Sequence, residues 1–211
     1  MIREPKDNEA DDCVKLLYLS GPDLYTYIFI DREPKIYDLL NLFYQEPGIF
    51  SKNNILVEEE NENIKGLILA YPAQEIKQMS KQMRGLIKKM ISICGLVNFI
   101  KIVLRFKLNS YFPKLEDDEF FISNLAVFEN YRKQDVAKRL LNTSEKIAIE
   151  KGLKKLCLFL DIDNNIAKEV YQKYGFTQES KVVLPKRYNK HNLFGYYKMV
   201  KVLDKKLDVI F

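Results

Sequence analysis

The chain is poor in the residues that most hydrolytic and metal chemistries require. Its 211 residues include one histidine, His191, and three cysteines, Cys13, Cys94 and Cys157, with no CxxC pair. A zinc site needs three or four such ligands at useful spacing, so no metal centre is expected. Ser–His or Cys–His catalysis would rest on His191 alone. An odd number of thiols points to a reducing compartment, and the expected location is cytoplasmic. Long apolar runs are also missing. The longest, Met90 to Leu104, is interrupted by Asn98 and Lys101, which makes it too short and too polar to span a membrane. The charged N-terminus, MIREPKDNEADD, is unlike a signal peptide. Strong net charge is absent too: +5, with pI about 8.9, is too weak to imply nucleic acid.

What is present is ordinary for a folded chain, 47% hydrophobic and 30% charged residues. Met1 to Glu4 reads as a short strand. A helix follows with Val14, Leu16, Leu17 and Leu19, ending at Gly21-Pro22. Leu24 to Ile30 is aromatic and β-branched. Pro34 starts a second helix, Lys35 to Gln45, with Ile36, Leu39, Leu40 and Phe43 on one face. Asn54 to Pro72 is a β-hairpin turning at Asn61-Glu62-Asn63. Residues 73–115 read as an inserted pair of helices broken near Gly95. Between Gln74 and Lys114 lie nine Lys or Arg against one acid, Glu75, a net +8. The plain reading is a helical pair packing one face on the domain. Sharper readings are a lid over an acceptor site, a dimer surface, or a patch for acidic partners or a membrane surface.

An acidic turn then feeds a strand, Phe120 to Phe128. A basic turn at 129–134 opens a helix from Asp135 to Lys151, with Val136, Leu140, Leu141, Ile147 and Ala148 on one side. Lys155 to Leu160 is a buried strand. A helix begins at Asp163-Asn164 with Ile166, Ala167, Val170, Tyr171 and Tyr174 on one side, closed by Gly175. Phe176–Pro185 and Leu193–Val202 are the last strands, and Asp204 to Phe211 reads as a tail. The expected fold is α/β: a mixed, mostly antiparallel sheet flanked by helices, in one domain over 1–211 with the insertion at 73–115.

Strand, basic turn and helix together place amides and cations where a phosphate group can bind. LAVFENYRKQDVAKRLL resembles the acyl-CoA motif of the GNAT superfamily of N-acetyltransferases, Arg/Gln-x-x-Gly-x-Gly/Ala after an apolar strand. NNIAKEVYQKYGF resembles the same family's Asn-x-x-Ala-x-x-x-Tyr-x-x-x-Gly-Phe, with Asn164, Ala167, Tyr171, Gly175 and Phe176 in place. The first motif departs at Asp135, which stands where the first Gly usually is, and at Lys133, another common Gly; Ala137 keeps the small residue. The resemblance covers most of the chain outside 73–115. It implies an N-acyltransferase that takes acetyl-CoA as cosubstrate and an unidentified amine of a small molecule or peptide as acceptor. It implies no metal and no nucleic acid, and the protein would be a monomer or homodimer.

Under this resemblance the pantetheine arm pairs with the backbone at Leu125, Ala126 and Val127. The pyrophosphate lies over the turn and first helical amides: Arg132, Lys133, Gln134, Asp135, Val136, Ala137 and Lys138. Arg139 adds charge, Asn164 bonds the arm, and Ala167 belongs to the same motif. A base must deprotonate the acceptor ammonium, whose pKa is near ~10. A backbone N–H around Val127 would meet the oxyanion. Tyr171 is the candidate proton donor to the departing thiolate. Glu119 is the candidate base; a water chain or a residue of another element is the alternative. Strand alternation puts 119, 121, 123 and 125 on one face, where Ser123 could order a water. The competing reading is a non-catalytic, GNAT-like module that works through the basic 73–115 segment.

Overall fold

A computed structural model describes residues 1–29 and 33–203, the side chains of 33 and 34 excepted. The tail expected at 204–211 and the end of the 24–30 stretch lie outside the described residues. In chain order the elements are β1 (Ile2–Arg3), α1 (Ala10–Leu19), α2 (Pro22–Phe29), α3 (Glu33–Gln45), β2 (Ile55–Glu60) and β3 (Asn63–Pro72). Next come α4 (Ile76–Arg84), α5 (Ile87–Cys94), α6 (Leu96–Arg105), β4 (Glu119–Val127) and α7 (Val136–Glu150). The chain continues through β5 (Lys155–Asp161), α8 (Asn165–Lys173), β6 (Thr177–Val183) and β7 (Gly195–Val202).

Among the described residues the strands form one sheet in the order β1-β2-β3-β4-β5-β7-β6, parallel at β4–β5 and antiparallel elsewhere. The β2–β3 hairpin turns on Asn61 and Glu62, both with positive φ, as a two-residue loop matched to strand twist requires. Its strands alternate between two cores. Val57, Leu67, Leu69 and Tyr71 face α1–α3 and the 73–115 segment, whereas Leu56, Ile68 and Ala70 face α7 and α8.

Two stretches are more helical than their composition or spacing suggests. Residues 24–29 are helical despite their aromatic and β-branched composition, because Tyr25, Ile28 and Phe29 at helical spacing are all buried. The 73–115 segment holds three α-helices and two 3₁₀ turns rather than two helices. Gly85 ends the first of them, as Gly95, with φ 78°, ends the second.

The sheet changes phase inside β4. Leu69 pairs with Asn124 but Ala70 pairs with Ile122, so Ser123 is an extra residue, a β-bulge. Before it, Phe120 and Ile122 face the α7–α8 side; after it, Leu125 and Val127 do. Strict alternation over 119, 121, 123 and 125 therefore fails, and 125 lies on the opposite face from 121. β4 and β5 pair only from Glu119↔Lys155 to Ile122↔Leu158. Beyond the bulge, β4 stays on β3 to Val127 while β5 stays on β7 to Asp161. No strand covers that edge of β4 from Ser123 onward among the described residues.

Gly66 lets β3, β4 and α7 meet behind this opening. A Cβ there would lie 2.8 Å from the Ala126 carbonyl and 3.0 Å from Val136 Cγ1. Gly66→Ala should therefore cost about 1–3 kcal/mol, read as a lowered urea midpoint at unchanged slope. An unchanged midpoint would mean that the contact relaxes freely.

Candidate functional site

The loop from β4 to α7 aims backbone amides at the open edge. Phe128 N–H bonds to the Lys65 carbonyl at 2.9 Å, and Tyr131 N–H to the Phe128 carbonyl at 2.9 Å, which fixes the turn. Lys133 and Asp135 then adopt left-handed conformations, with φ of 61° and 57°. These are two of the positions where glycine was expected from the family pattern. Asp tolerates this region better than most non-glycine residues. Asp135 sits at the N-cap, yet its side chain makes no cap bond. The amides of Val136, Ala137 and Lys138 consequently have no acceptor among the described residues. Val136 itself is buried, so the amides are held by a packed helix.

Arg132, Lys133 and Lys138 are exposed around these amides. Arg132 Nε lies 3.5 Å from the Val127 carbonyl, and Gln134 Nε2 donates to the Asn130 carbonyl at 3.0 Å. Arg139 points elsewhere. It forms a two-pronged pair with Glu58 on β2, its Nη2 2.6 Å from Oε1, so its charge is already matched. Unpaired amides, exposed cations and an open strand edge make a site that suits a phosphate-bearing, amide-bearing arm.

α8 supplies the facing wall. Asn164 Oδ1 caps it by accepting from Ala167 N–H at 3.1 Å, which leaves the Asn164 amide hydrogens without a partner among the described residues. Ala167, Tyr171 and Tyr174 pack toward the α7–α8 core, whereas Ile166 and Val170 are exposed, so the apolar face is narrower than expected. The Tyr171 ring meets Phe176 edge-on at 5.6 Å. Burial pushes the Tyr171 hydroxyl up to about 12, so it stays protonated at neutral pH.

On the other face of the sheet lies a cavity of about 690 Å³. Its walls are mainly aromatic and aliphatic, among them Phe29, Phe50, Phe106 and Phe121. The 73–115 segment closes one side, which places it as a wall over the cavity. Polar groups gather where β4 and β5 part: Ser123, Asn124, Asp161 and Tyr196. Asn124 Nδ2 donates to Ser20 Oγ at 2.6 Å and to Tyr25 Oη at 2.7 Å, but its Oδ1 is buried without a partner. Tyr196 Oη is likewise buried and unpartnered. Burial, then the nearby Asp163 and Asp23 charges, push the Asp161 carboxyl up to about 6. Asp161 was missed in the sequence because it ends an apolar strand and no motif marks it.

Glu119 is not brought to this cavity. It is fully buried at the closed end of the sheet, with Oε1 2.7 Å from Lys198 Nζ and Oε2 accepting from Glu116 N–H at 2.8 Å. Lys198 also reaches Glu179 Oε2 at 2.8 Å and donates to the Lys114 carbonyl at 3.1 Å. The pair thus ties β4, β7 and β6 to the end of the 73–115 segment. His191 packs against Tyr27 with the rings tilted, centroids 4.9 Å apart, and does not line the cavity.

The model of the acetyltransferase (GNAT) family matches residues 23–176. Among curated proteins, the uncharacterized N-acetyltransferase YycN of Bacillus subtilis (strain 168) is 33% identical over 75 residues, 36% of this chain and 47% of that protein. The chloroplastic GCN5-related N-acetyltransferase 4 of Arabidopsis thaliana is 38% identical over 56 residues, 26% of this chain and 19% of that protein. The matches therefore span less than half the length of these relatives. A crystal structure of an N-acetyltransferase from Staphylococcus aureus Mu50 superposes with a TM-score of 0.70 at 21% identity, covering 95% of this chain and 99% of that one. The paia N-acetyltransferase from Thermoplasma acidophilum, solved in complex with coenzyme A, gives 0.52 at 15% identity, covering 96% and 98%. At such identities the structural likeness concerns the fold.

Glu119→Gln separates a structural from a catalytic role for that residue. Removing one partner of a buried ion pair should cost about 2–4 kcal/mol, somewhat softened by Glu179, in a urea melt. Turnover measured well below the melting midpoint should stay within about threefold of wild type. A loss of about a hundredfold at unchanged stability would make Glu119 the base after all.

Proposed function

The chain belongs to the GNAT family of acetyltransferases, and from that premise we propose that it transfers an acyl group, by default acetyl, from coenzyme A to an amine held in the 690 Å³ cavity. One observation carries this reading: β4 and β5 part in front of the uncapped amides of α7, with a largely apolar cavity, open to solvent on one side, on the opposite face of the sheet. The residues present suit the cosubstrate. The amides of Val136, Ala137 and Lys138, with Arg132 and Lys133, would hold its pyrophosphate. The β4 edge at Leu125, Ala126 and Val127 would pair with its pantetheine amides, and Asn164 would donate to the same arm. When bound, it supplies the acyl group as a thioester.

The chain's own residues then divide the proton work. An alkyl amine reaches the cavity as an ammonium and must lose a proton before it can attack. Asp161 is the carboxylate at the parting of the strands, and its raised pKa brings it near the range that general bases use. Asn124 Oδ1 is a buried, unpartnered acceptor lining the same cavity, suited to orienting the ammonium. On the other side, Tyr171 holds its proton at Oη and offers it to the departing sulfur. A backbone N–H near Val127 would meet the developing oxyanion. The cavity lining favours an acceptor with a sizeable apolar or aromatic body attached to its amine.

The two roles predict different kinetic changes. Wild-type kcat/KM for the acceptor should rise with pH through about 6, because Asp161 serves as a base only when ionised. Asp161→Asn should abolish that limb and lower the rate about 10²–10³-fold. A carboxyl whose folded pKa is raised opposes folding above that pKa, and the cost disappears as pH falls below its unfolded value. Asp161→Asn should accordingly be more stable than wild type at pH 8, with the difference shrinking toward pH 4. Tyr171→Phe should lower kcat about 10–10²-fold with KM for acyl-CoA unchanged. A retained acidic limb in Asp161→Asn would move the base elsewhere. Wild-type protein that cleaves no acetyl-CoA thioester with any of a panel of arylalkyl amines would overturn the acyltransferase reading.

A further inference from the structure

We propose that α6 is a docking surface for anionic membranes. The helix is apolar around most of its circumference. Phe99, Ile102 and Phe106 turn inward against the core, Ile102 completely buried. On the outer face Leu96, Val97, Ile100, Val103 and Leu104 are each 50–67% exposed. Their spacing, i, i+1, i+4, i+7 and i+8, places them in one stripe about 120° wide. A helix that is apolar on both faces is normally covered on both. Isolated exposed aliphatic residues need no explanation, but five contiguous ones on a single helix do.

Charge selects what covers the stripe. The segment from Gln74 to Lys114 carries a net +8, so the remainder of this +5 chain is net −3. Lys89 is matched by Glu46, and Arg105 donates to the Tyr27 carbonyl. Lys81, Arg84, Lys88, Lys101 and Lys107 are exposed, and none forms an ion pair among the described residues. An apolar stripe on a segment rich in exposed, unpaired cations matches an interface of acyl chains beneath anionic headgroups. A second copy of the chain would bring two +8 segments together, which disfavours a dimer through this face. No described helix is long and apolar enough to cross a membrane, so the helix would lie in the plane of the surface. The proposal is independent of the acyl-transfer reading, since none of these residues belongs to the cosubstrate site.

Vesicle flotation of the full chain tests it. Wild type should float with phosphatidylcholine vesicles containing phosphatidylserine and stay behind with phosphatidylcholine alone. Binding should weaken steeply as salt rises. Val97→Asp with Ile100→Asp should weaken flotation by about tenfold or more, and so should Lys88→Glu with Lys101→Glu. All four side chains are solvent-exposed, so unchanged melting midpoints are expected and will be checked. Absence of flotation on serine-containing vesicles would overturn the proposal. So would concentration-dependent dimerisation abolished by Ile100→Asp in the absence of lipid, because the stripe would then be a subunit interface.

Discussion

The structure depends on a single irregularity in its central strand. Ser123 is one residue too many against β3, and from that bulge onward β4 follows β3 while β5 follows β7. A parallel pair held over four residues on each strand then opens. Among the described residues, the opening leaves the β5-side edge of β4 without a neighbouring strand. In a sheet interior that would be costly unless another hydrogen-bonding group takes the vacant edge. It also brings Ser123 and Asn124 onto the cavity face in succession, which a regular strand could not do.

The two ends of the parallel pair serve different purposes. At the closed end Glu119, Lys198 and Glu179 form a buried cluster across β4, β7 and β6. Buried ion pairs seldom add net stability over apolar packing, but losing one partner is expensive. Any slip of these strands would therefore separate the buried charges at a cost. At the open end, α7 starts from a left-handed Asp135 whose carboxylate leaves the first amides free. The residue that looked out of place in the family pattern takes the backbone conformation that pattern demands. It does so without occupying the donors that an anion would use.

Much of this was legible in the sequence. Hydrophobic periodicity located the hairpin, α7 and β5 within a few residues, because each buries a continuous face. The Asn164, Tyr171 and Gly175-Phe176 spacing located α8 and its cap. Three things were not legible. The bulge at Ser123 leaves no compositional trace, so simple alternation puts Leu125 on the wrong face, and Glu119, which precedes the bulge, is taken up by Lys198 from a strand distant in sequence. Arg139 was grouped with the turn's cations because its partner, Glu58, lies 81 residues away on β2. Asp161 is not legible because its raised pKa comes first from burial, and in part from Asp23, which only the folded chain brings near. Local pattern reports which face a residue occupies; it does not report which charges meet across the sheet.

The proposed coenzyme A site consists of the parted strands and the uncapped α7 amides. Calorimetric titration of the full chain with coenzyme A tests this most directly, since it needs no knowledge of the acceptor. One molecule bound per chain with a Kd of about 1–100 μM is the predicted result. No heat of binding at concentrations near ~1 mM would contradict it.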